Sequence, residues 1–174
     1  MSDENRSTRR RVVREGLAIG LATGAYGVSF GALAAAAGLS VVQAVALSAL
    51  MFTGASQFAF VGVVATGGAP LAAASTAVLL GTRNGLYGLD LSRVLGPARR
   101  WLAAHVLIDE SAALALAQDD PRHARTGFWA AGLAVFFFWN LATLVGALGA
   151  GVLGDPASLG LDAVAPACRS TCPS

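Results

Sequence analysis

Long runs of residues without a charged side chain dominate the pattern of this chain. Residues 16–82 contain no Asp, Glu, Lys, Arg or His over 67 consecutive positions, and residues 126–154 contain none over 29. A helix that crosses a bilayer needs about 20 apolar residues. The first run is therefore long enough for two or three spans, and the second for one. The pattern predicts an all-α, polytopic transmembrane helical bundle.

Turn-forming and polar stretches divide these runs into about five predicted membrane segments. Gly38-Leu39-Ser40 and the residues around Pro70 are typical of turns, and charged residues separate the later segments. The predicted segments are residues 16–37, 41–66, 71–91, 101–118 and 126–154. No internal repeat is visible beyond a faint similarity between GVSFGALA and GASQFAFV.

The second segment contains the stretch FTGASQF, whose polar residues are unfavourable in lipid. Gly54, Ser56 and Gln57 together predict a broken or re-entrant helix near Gly54–Gln57. A re-entrant segment would also explain the arginines of residues 92–100. If three full spans precede this loop, the arginines lie outside, whereas arginine-rich loops are normally cytoplasmic.

Five arginines precede the first segment and predict a cytoplasmic N-terminus. A cleaved signal peptide, cut near residues 34–37, is the alternative, but it leaves a charge-free stretch over residues 38–82. The first segment also carries glycines at a spacing of three to four residues. These are Gly16, Gly20, Gly24, Gly27 and Gly31. Such a ridge predicts close approach of another helix.

Composition agrees with a membrane protein: 55% of the 174 residues are hydrophobic and 13% are charged, with a mean hydropathy of +0.63. The charges lie at the ends and in loops, which argues against a nucleic-acid-binding face. Cys168 and Cys172 lie in the polar C-terminal stretch with no neighbouring ligand, so no metal and no cofactor is expected. Asn140 is expected to form an interhelical hydrogen bond.

An acidic pair, Asp109-Glu110, interrupts the apolar run AAHVLIDESAALALA. Two carboxylates at the centre of a span cost roughly 5–7 kcal/mol, and the six strongly apolar residues of this segment return about 2–4 kcal/mol. The pair therefore needs a partner, a proton or water. Arg83 is a candidate partner, and His105 is expected on the same helical face as Asp109.

Three roles are open for these acids. They are proton binding during a transport cycle, an ion pair that holds two helices together, and exposure to water on a surface-lying amphipathic helix.

The motifs FTGASQFAFVGVV, TRNGLYGLDL and HVLIDESAALA, in this order, resemble the AzlC family over roughly Arg14 to Gly160. The first-span YGVSFGALA and the GLS turn add to the likeness. The resemblance implies a multi-pass permease subunit of the bacterial inner membrane. The resemblance implies proton-driven export of branched-chain amino acids, together with a small AzlD-type membrane subunit.

The same resemblance implies the site residues. The residues that it implies for substrate binding are Gly54, Ser56, Gln57, Asn84 and Tyr87. The residues that it implies for proton coupling or ion pairing are Arg83, Asp109 and Glu110. His105 is added to this group because it lies four residues before Asp109. The expected domains are a cytoplasmic tail over residues 1–15, a transporter domain over 16–154 and a polar tail over 155–174, after which further family spans are expected to be missing.

Two alternatives to transport remain. A truncated chain would act as a non-transporting membrane scaffold or regulatory subunit. An intramembrane serine protease would use Ser56 as nucleophile and His105 as base. However, Gln57 stands where rhomboid-like proteases have glycine after the serine, and the chain is expected not to be an enzyme.

Overall fold

The structure is a computed structural model that describes residues 3–96 and 100–153, and within these ranges every regular element is an α-helix. The helices are α1 Asp3–Ala36, α2 Val41–Leu50, α3 Ala55–Ala65, α4 Pro70–Leu95, α5 Arg100–His105, α6 Asp109–Leu116 and α7 Pro121–Leu153. The all-α class is confirmed. Among the described residues, two stretches are long and apolar enough to cross a membrane, Glu4–Ala36 and Pro121–Ala150.

The two longest helices, α1 and α7, pack side by side and run in the same direction. Every glycine of the predicted ridge faces α7, from Gly16 beside Ala130 to Gly31 beside Thr143 and Ala147. A Cβ at Gly16 would lie 2.8 Å from the Ala130 Cβ. The ridge thus brings two backbones together, as its spacing predicts. We call the end where α1 and α7 begin the near end, and the other the far end.

Helix α4 runs opposite to this pair, from the far end to the near end. The guanidinium of Arg125, close to the start of α7, donates to the Val94 carbonyl through Nη2 (2.6 Å) and Nε (3.1 Å). The C-terminal end of α4 therefore lies at the near end. This places the start of the arginine loop at the same end of the bundle as the N-terminal arginines.

Helices α2 and α3 form a hairpin with its open end at the far end. The α2 residue Ser48 lies with its hydroxyl 3.3 Å from that of Thr143 in α7. The chain then turns at Met51–Gly54, and α3 returns to the far end, where a short loop over residues 66–69 leads into α4. The interruption includes Gly54 but ends there, so Ser56 and Gln57, which were also expected in it, belong to the first turn of α3.

Helices α5 and α6 form a second hairpin, which enters from the near end. The Val106 carbonyl oxygen lies 2.8 Å from the position of a Cβ at Gly132, near the middle of α7. From there α6 returns to the near end, where Leu114 Cγ lies 3.1 Å from a Cβ at Gly127. The fourth predicted segment is therefore wrong as a single helix, because the chain leaves helical geometry at Val106–Ile108.

Other sequence-based expectations also change. Helix α1 begins at Asp3, so the arginine-rich residues continue the helix that residues 16–37 were predicted to form. The Asn140 side chain donates to the Phe136 carbonyl of its own helix (2.8 Å) and not to a neighbouring helix. Because of the break, His105 and Asp109 are not on one helical face. The expectations for residues 155–174 fall outside the described residues.

Asp120 caps the N-terminus of α7. Its Oδ1 accepts hydrogen bonds from the backbone N–H of Arg122 (2.6 Å) and His123 (3.4 Å). The Arg122 bond, more than any other contact, lowers the pKa of this carboxyl below its ordinary value.

We expect Asp120→Ala to lower the thermal midpoint by a few degrees, because two N–H groups lose their acceptor. The pKa of Asp120 is lower in the folded chain than in the unfolded chain. The carboxylate therefore stabilises the fold fully at pH values above the pKa of the unfolded chain, and this stabilisation is lost as the pH falls through the pKa of the folded chain. Thermal unfolding in detergent across acidic pH would measure it, with Asp119→Ala as control. An equal effect of both substitutions would contradict the assignment.

Candidate functional site

The tips of the two hairpins meet against the middle of α7. Phe52, in the first break, and His105, directly before the second, have ring centroids 6.3 Å apart. Both rings pack on Phe136 of α7, at 5.0 and 5.6 Å. Two interrupted helices thus converge at one level of the bundle. Backbone groups freed by both interruptions are concentrated there.

A cavity of about 290 Å³ lies beside these tips. This volume is close to the lower limit for small-molecule pockets, about 300 Å³. Its wall combines α1, both hairpins, α4 and α7. It is lined by Thr23, Tyr26, Phe52, Thr53, Gly54, Ala55, Phe58, Arg83, Ile108, Asp109, Glu110, Val135 and Trp139.

One wall of the cavity is anionic. Asp109 and Glu110 form the first turn of α6, where the positive end of the helix dipole favours carboxylates. Arg83 Nη2 lies 2.8 Å from Asp109 Oδ2, so these two side chains form an ion pair. The two side chains remain 41% and 42% exposed, so the pair borders the cavity and is not sealed in the core. Within the described residues, Glu110 has no basic partner, and the second oxygen of Asp109 accepts no hydrogen bond.

Another part of the cavity wall is a helix N-terminus without an acidic residue in its first turn. Helix α3 begins after Gly54, whose positive φ of 63° favours glycine, and no side chain caps it. The N–H groups of Gln57 and Phe58 donate to the Gly54 carbonyl. The N–H groups of Ala55 and Ser56 lie before these bonds and have no acceptor within the helix. Free N–H groups and a positive dipole end suit an anion.

Two of the predicted site residues lie behind this wall. Ser56 is 1% exposed and its hydroxyl has no partner among the described residues. Gln57 is fully buried, and its Nε2 donates to the Ser48 carbonyl at 3.0 Å. Neither side chain lines the cavity, although both belong to the helix turn that does.

Three further predicted residues also lie outside the cavity lining. Tyr87 packs on the cluster formed around Leu91 and Phe128. Asn84, one residue after Arg83, has a buried Oδ1 with no partner among the described atoms. His105 packs against the aromatic rings of Phe52 and Phe136 at the tips. Of the nine predicted residues, Gly54, Arg83, Asp109 and Glu110 line the cavity.

The remaining lining residues were not predicted from the sequence. Thr23 and Tyr26 face the cavity from α1, and Trp139 faces it from α7. Trp139 also packs on Phe58, with centroids 6.1 Å apart. Thr23, Tyr26 and Trp139 lie in the TGAY stretch of the first segment and the WN pair of the last. The two stretches are far apart in the sequence, and only the folded structure shows that they line one cavity.

The comparison with known families decides the identity. A family model described as AzlC protein matches residues 18–153, most of the chain. The chain belongs to the AzlC family. The match confirms the resemblance drawn from the motifs. No curated protein and no solved structure matches the chain.

AzlC is a family of membrane-associated transporter subunits, which agrees with a non-enzymatic role. The protease alternative requires Ser56 to reach His105. Among the described residues the two form no hydrogen bond, and the His105 ring packs against Phe52 and Phe136. The site therefore resembles a binding cavity more than a nucleophile and its base.

Proposed function

We propose that this AzlC protein is the permease subunit of an exporter for branched-chain or similar apolar amino acids. The observation that carries the proposal is the cavity between the two hairpin tips, which has carboxylates on one wall and a free helix N-terminus on another. An amino acid zwitterion has the matching charges. Binding sites between helix ends at mid-membrane are typical of secondary transporters.

The surface of the bundle supports a multi-pass position in the membrane. Large apolar side chains are exposed along several helices, including Leu21 on α1, Leu79 on α4 and Phe137 on α7. Soluble monomers rarely expose so much apolar surface. Trp101, almost fully exposed at the near end, suits the lipid–water interface.

Arginines at the near end support an inner-membrane orientation with the N-terminus in the cytoplasm. The N-terminal arginines and the end of α4 share this end of the bundle. In this proposal residues 1–15 form the cytoplasmic tail and residues 16–154 the transporter domain.

The substrate ammonium would bind Asp109 and Glu110, and its carboxylate would bind the N–H groups at the start of α3. Arg83 stands beside Asp109 and offers a second group to the carboxylate. Phe52, Phe58 and Val135 provide an apolar wall for a branched side chain. The roles of Ser56, Gln57, Asn84 and Tyr87 in direct substrate binding remain predictions.

Protonation of an acid would couple the cavity to the proton gradient. A neutral carboxyl binds ammonium more weakly than a carboxylate, because the charge-assisted hydrogen bond is lost. Arg83 would re-form its pair with Asp109 once the site is empty. We further propose that a small AzlD-type subunit completes the transporter.

The test is leucine flux from proteoliposomes that contain this chain and an AzlD-type subunit. We expect flux driven by a pH gradient and competition by isoleucine and valine. Glu110→Gln should lower apparent substrate affinity about 10- to 100-fold, since a hydrogen bond to a charge contributes about 1.5–3 kcal/mol. Glu15→Gln, an acid on α1 outside the cavity, is the control.

Unchanged affinity in Glu110→Gln would exclude the assigned role. If co-reconstituted protein is folded and shows no flux, the scaffold or regulatory alternative replaces transport.

A further inference from the structure

The chain contains two units of the same construction in opposite orientations. The first unit is α1 followed by the hairpin α2–α3, and the second is α4 followed by the hairpin α5–α6. Helix α1 runs to the far end, and its hairpin enters from there. Helix α4 runs to the near end, and its hairpin enters from there. Helix α7 stands outside this pattern and packs along α1.

The two breaks also agree in their local chemistry. In each hairpin, the third residue of the returning helix is a fully buried polar side chain that reaches back across the break. In α3 this is Gln57, whose Nε2 donates to the Ser48 carbonyl of α2. In α6 it is Ser111, whose hydroxyl accepts from the Ile108 N–H (3.0 Å) and lies 2.9 Å from the Val106 carbonyl oxygen.

These contacts satisfy backbone groups that the breaks leave without helical partners. A buried carbonyl without a donor is costly, and more so where no water reaches it. Each buried side chain therefore fixes the geometry of its break. Gln57 and Ser111 belong to the first turns of α3 and α6, whose starts line the cavity, but their own side chains do not line it.

We propose that α1–α3 and α4–α6 form an inverted repeat, and that Gln57 and Ser111 are equivalent positioning residues within it. Each holds one helix N-terminus at the cavity wall. In this equivalence Ala55 and Ser56 correspond to Asp109 and Glu110. The repeat thus places a neutral helix start and an acidic one in the lining of the same cavity.

The orientation of the units is tested by cysteine labelling, which does not depend on transport. In a background with Cys168→Ser and Cys172→Ser, single substitutions Ala36→Cys, Ala65→Cys, Ser92→Cys and Ala117→Cys are labelled with a membrane-impermeant maleimide in oriented vesicles. The expected result is labelling of positions 36 and 65 from one side and of 92 and 117 from the other. Labelling of 36 and 65 from opposite sides would overturn the repeat, whatever the flux assay shows.

The positioning role rests on the proposed transport function and uses its flux assay. Gln57→Leu should reduce the maximal flux about tenfold, because the hydrogen bond across the break is lost. Gln57→Glu donates to the Ser48 carbonyl only when protonated, so its flux relative to the parent chain at the same pH should rise on acidification. Gln57→Leu should show no such rise.

Ser111→Thr, which keeps the hydroxyl, should retain more flux than Ser111→Ala. Gln118→Leu is the control, since Gln118 Nε2 donates to the Leu114 carbonyl away from both breaks. Equal flux in Gln57→Leu and Gln57→Glu at every pH would remove the positioning role and leave the labelling result intact.

Discussion

Gly146→Val is expected to prevent α1 and α7 from packing and to abolish recovery of folded protein. A Cβ at this position meets the backbone of Val28 in α1, at its carbonyl oxygen and carbonyl carbon. Backbone atoms cannot move aside as a flexible side chain does, so the two helices must separate. Overpacking in a tight core costs about 1–3 kcal/mol for ordinary side-chain clashes, and a clash with backbone exceeds this range.

Gly149 provides the matched control on the same helix. A Cβ there meets nothing within 4 Å, so Gly149→Val should leave the thermal midpoint and the elution profile in detergent close to those of the parent chain. Size-exclusion chromatography and thermal unfolding of both variants measure the effect. If Gly146→Val elutes as a single folded species with an unchanged midpoint, the described α1–α7 contact is wrong.

Loss of the Arg83–Asp109 ion pair is expected to reduce the transport rate about 100-fold. Asp109→Asn removes the charge that would hold the substrate ammonium, and hydrogen bonds to charged groups contribute up to about 3 kcal/mol. Arg83→Gln leaves Asp109 without its partner at 2.8 Å. Flux in proteoliposomes measures both variants. The exposed pair Arg11–Glu15, 3.8 Å apart, gives a control in Arg11→Gln.

The exchange variant Arg83→Asp with Asp109→Arg separates a structural pair from a functional one. It restores an ion pair between α4 and α6, so folding should recover relative to either single change. Transport should not recover, because the charges on the cavity walls are then reversed. Recovery of flux in the exchange variant would mean that the pair only holds the helices together.

The sequence predicts well those features that arise from local pattern. The glycine ridge of α1 predicts a closely packed partner, because small residues at this spacing let the backbone of another helix approach closely. It does not identify α7 as the partner, since many apolar segments offer a similar surface. Likewise Gly54 predicts the first break within a few residues because only glycine adopts its backbone conformation readily.

The second break shows why the rest was not predictable. Residues 101–118 are rich in Ala and Leu, which favour a continuous helix. Ser111 bonds to backbone groups of Val106 and Ile108 at the break, but serines form such local hydrogen bonds in many helices that do not break. The cavity forms where both breaks meet Trp139 of α7. Four of its lining residues, Gly54, Arg83, Asp109 and Glu110, were predicted from local motifs. Its aromatic lining residues were not, because they come together only in the folded bundle.

The parallel contact of α1 with α7 has a consequence for synthesis. Gly16 and Ala130 meet although more than a hundred residues separate them in the chain. At about 5–20 residues per second, a ribosome needs roughly 5–20 s to make that stretch. During this time the first helix has no permanent neighbour for its glycine face, so the nascent chain depends on lipid or on the insertion machinery to shield it.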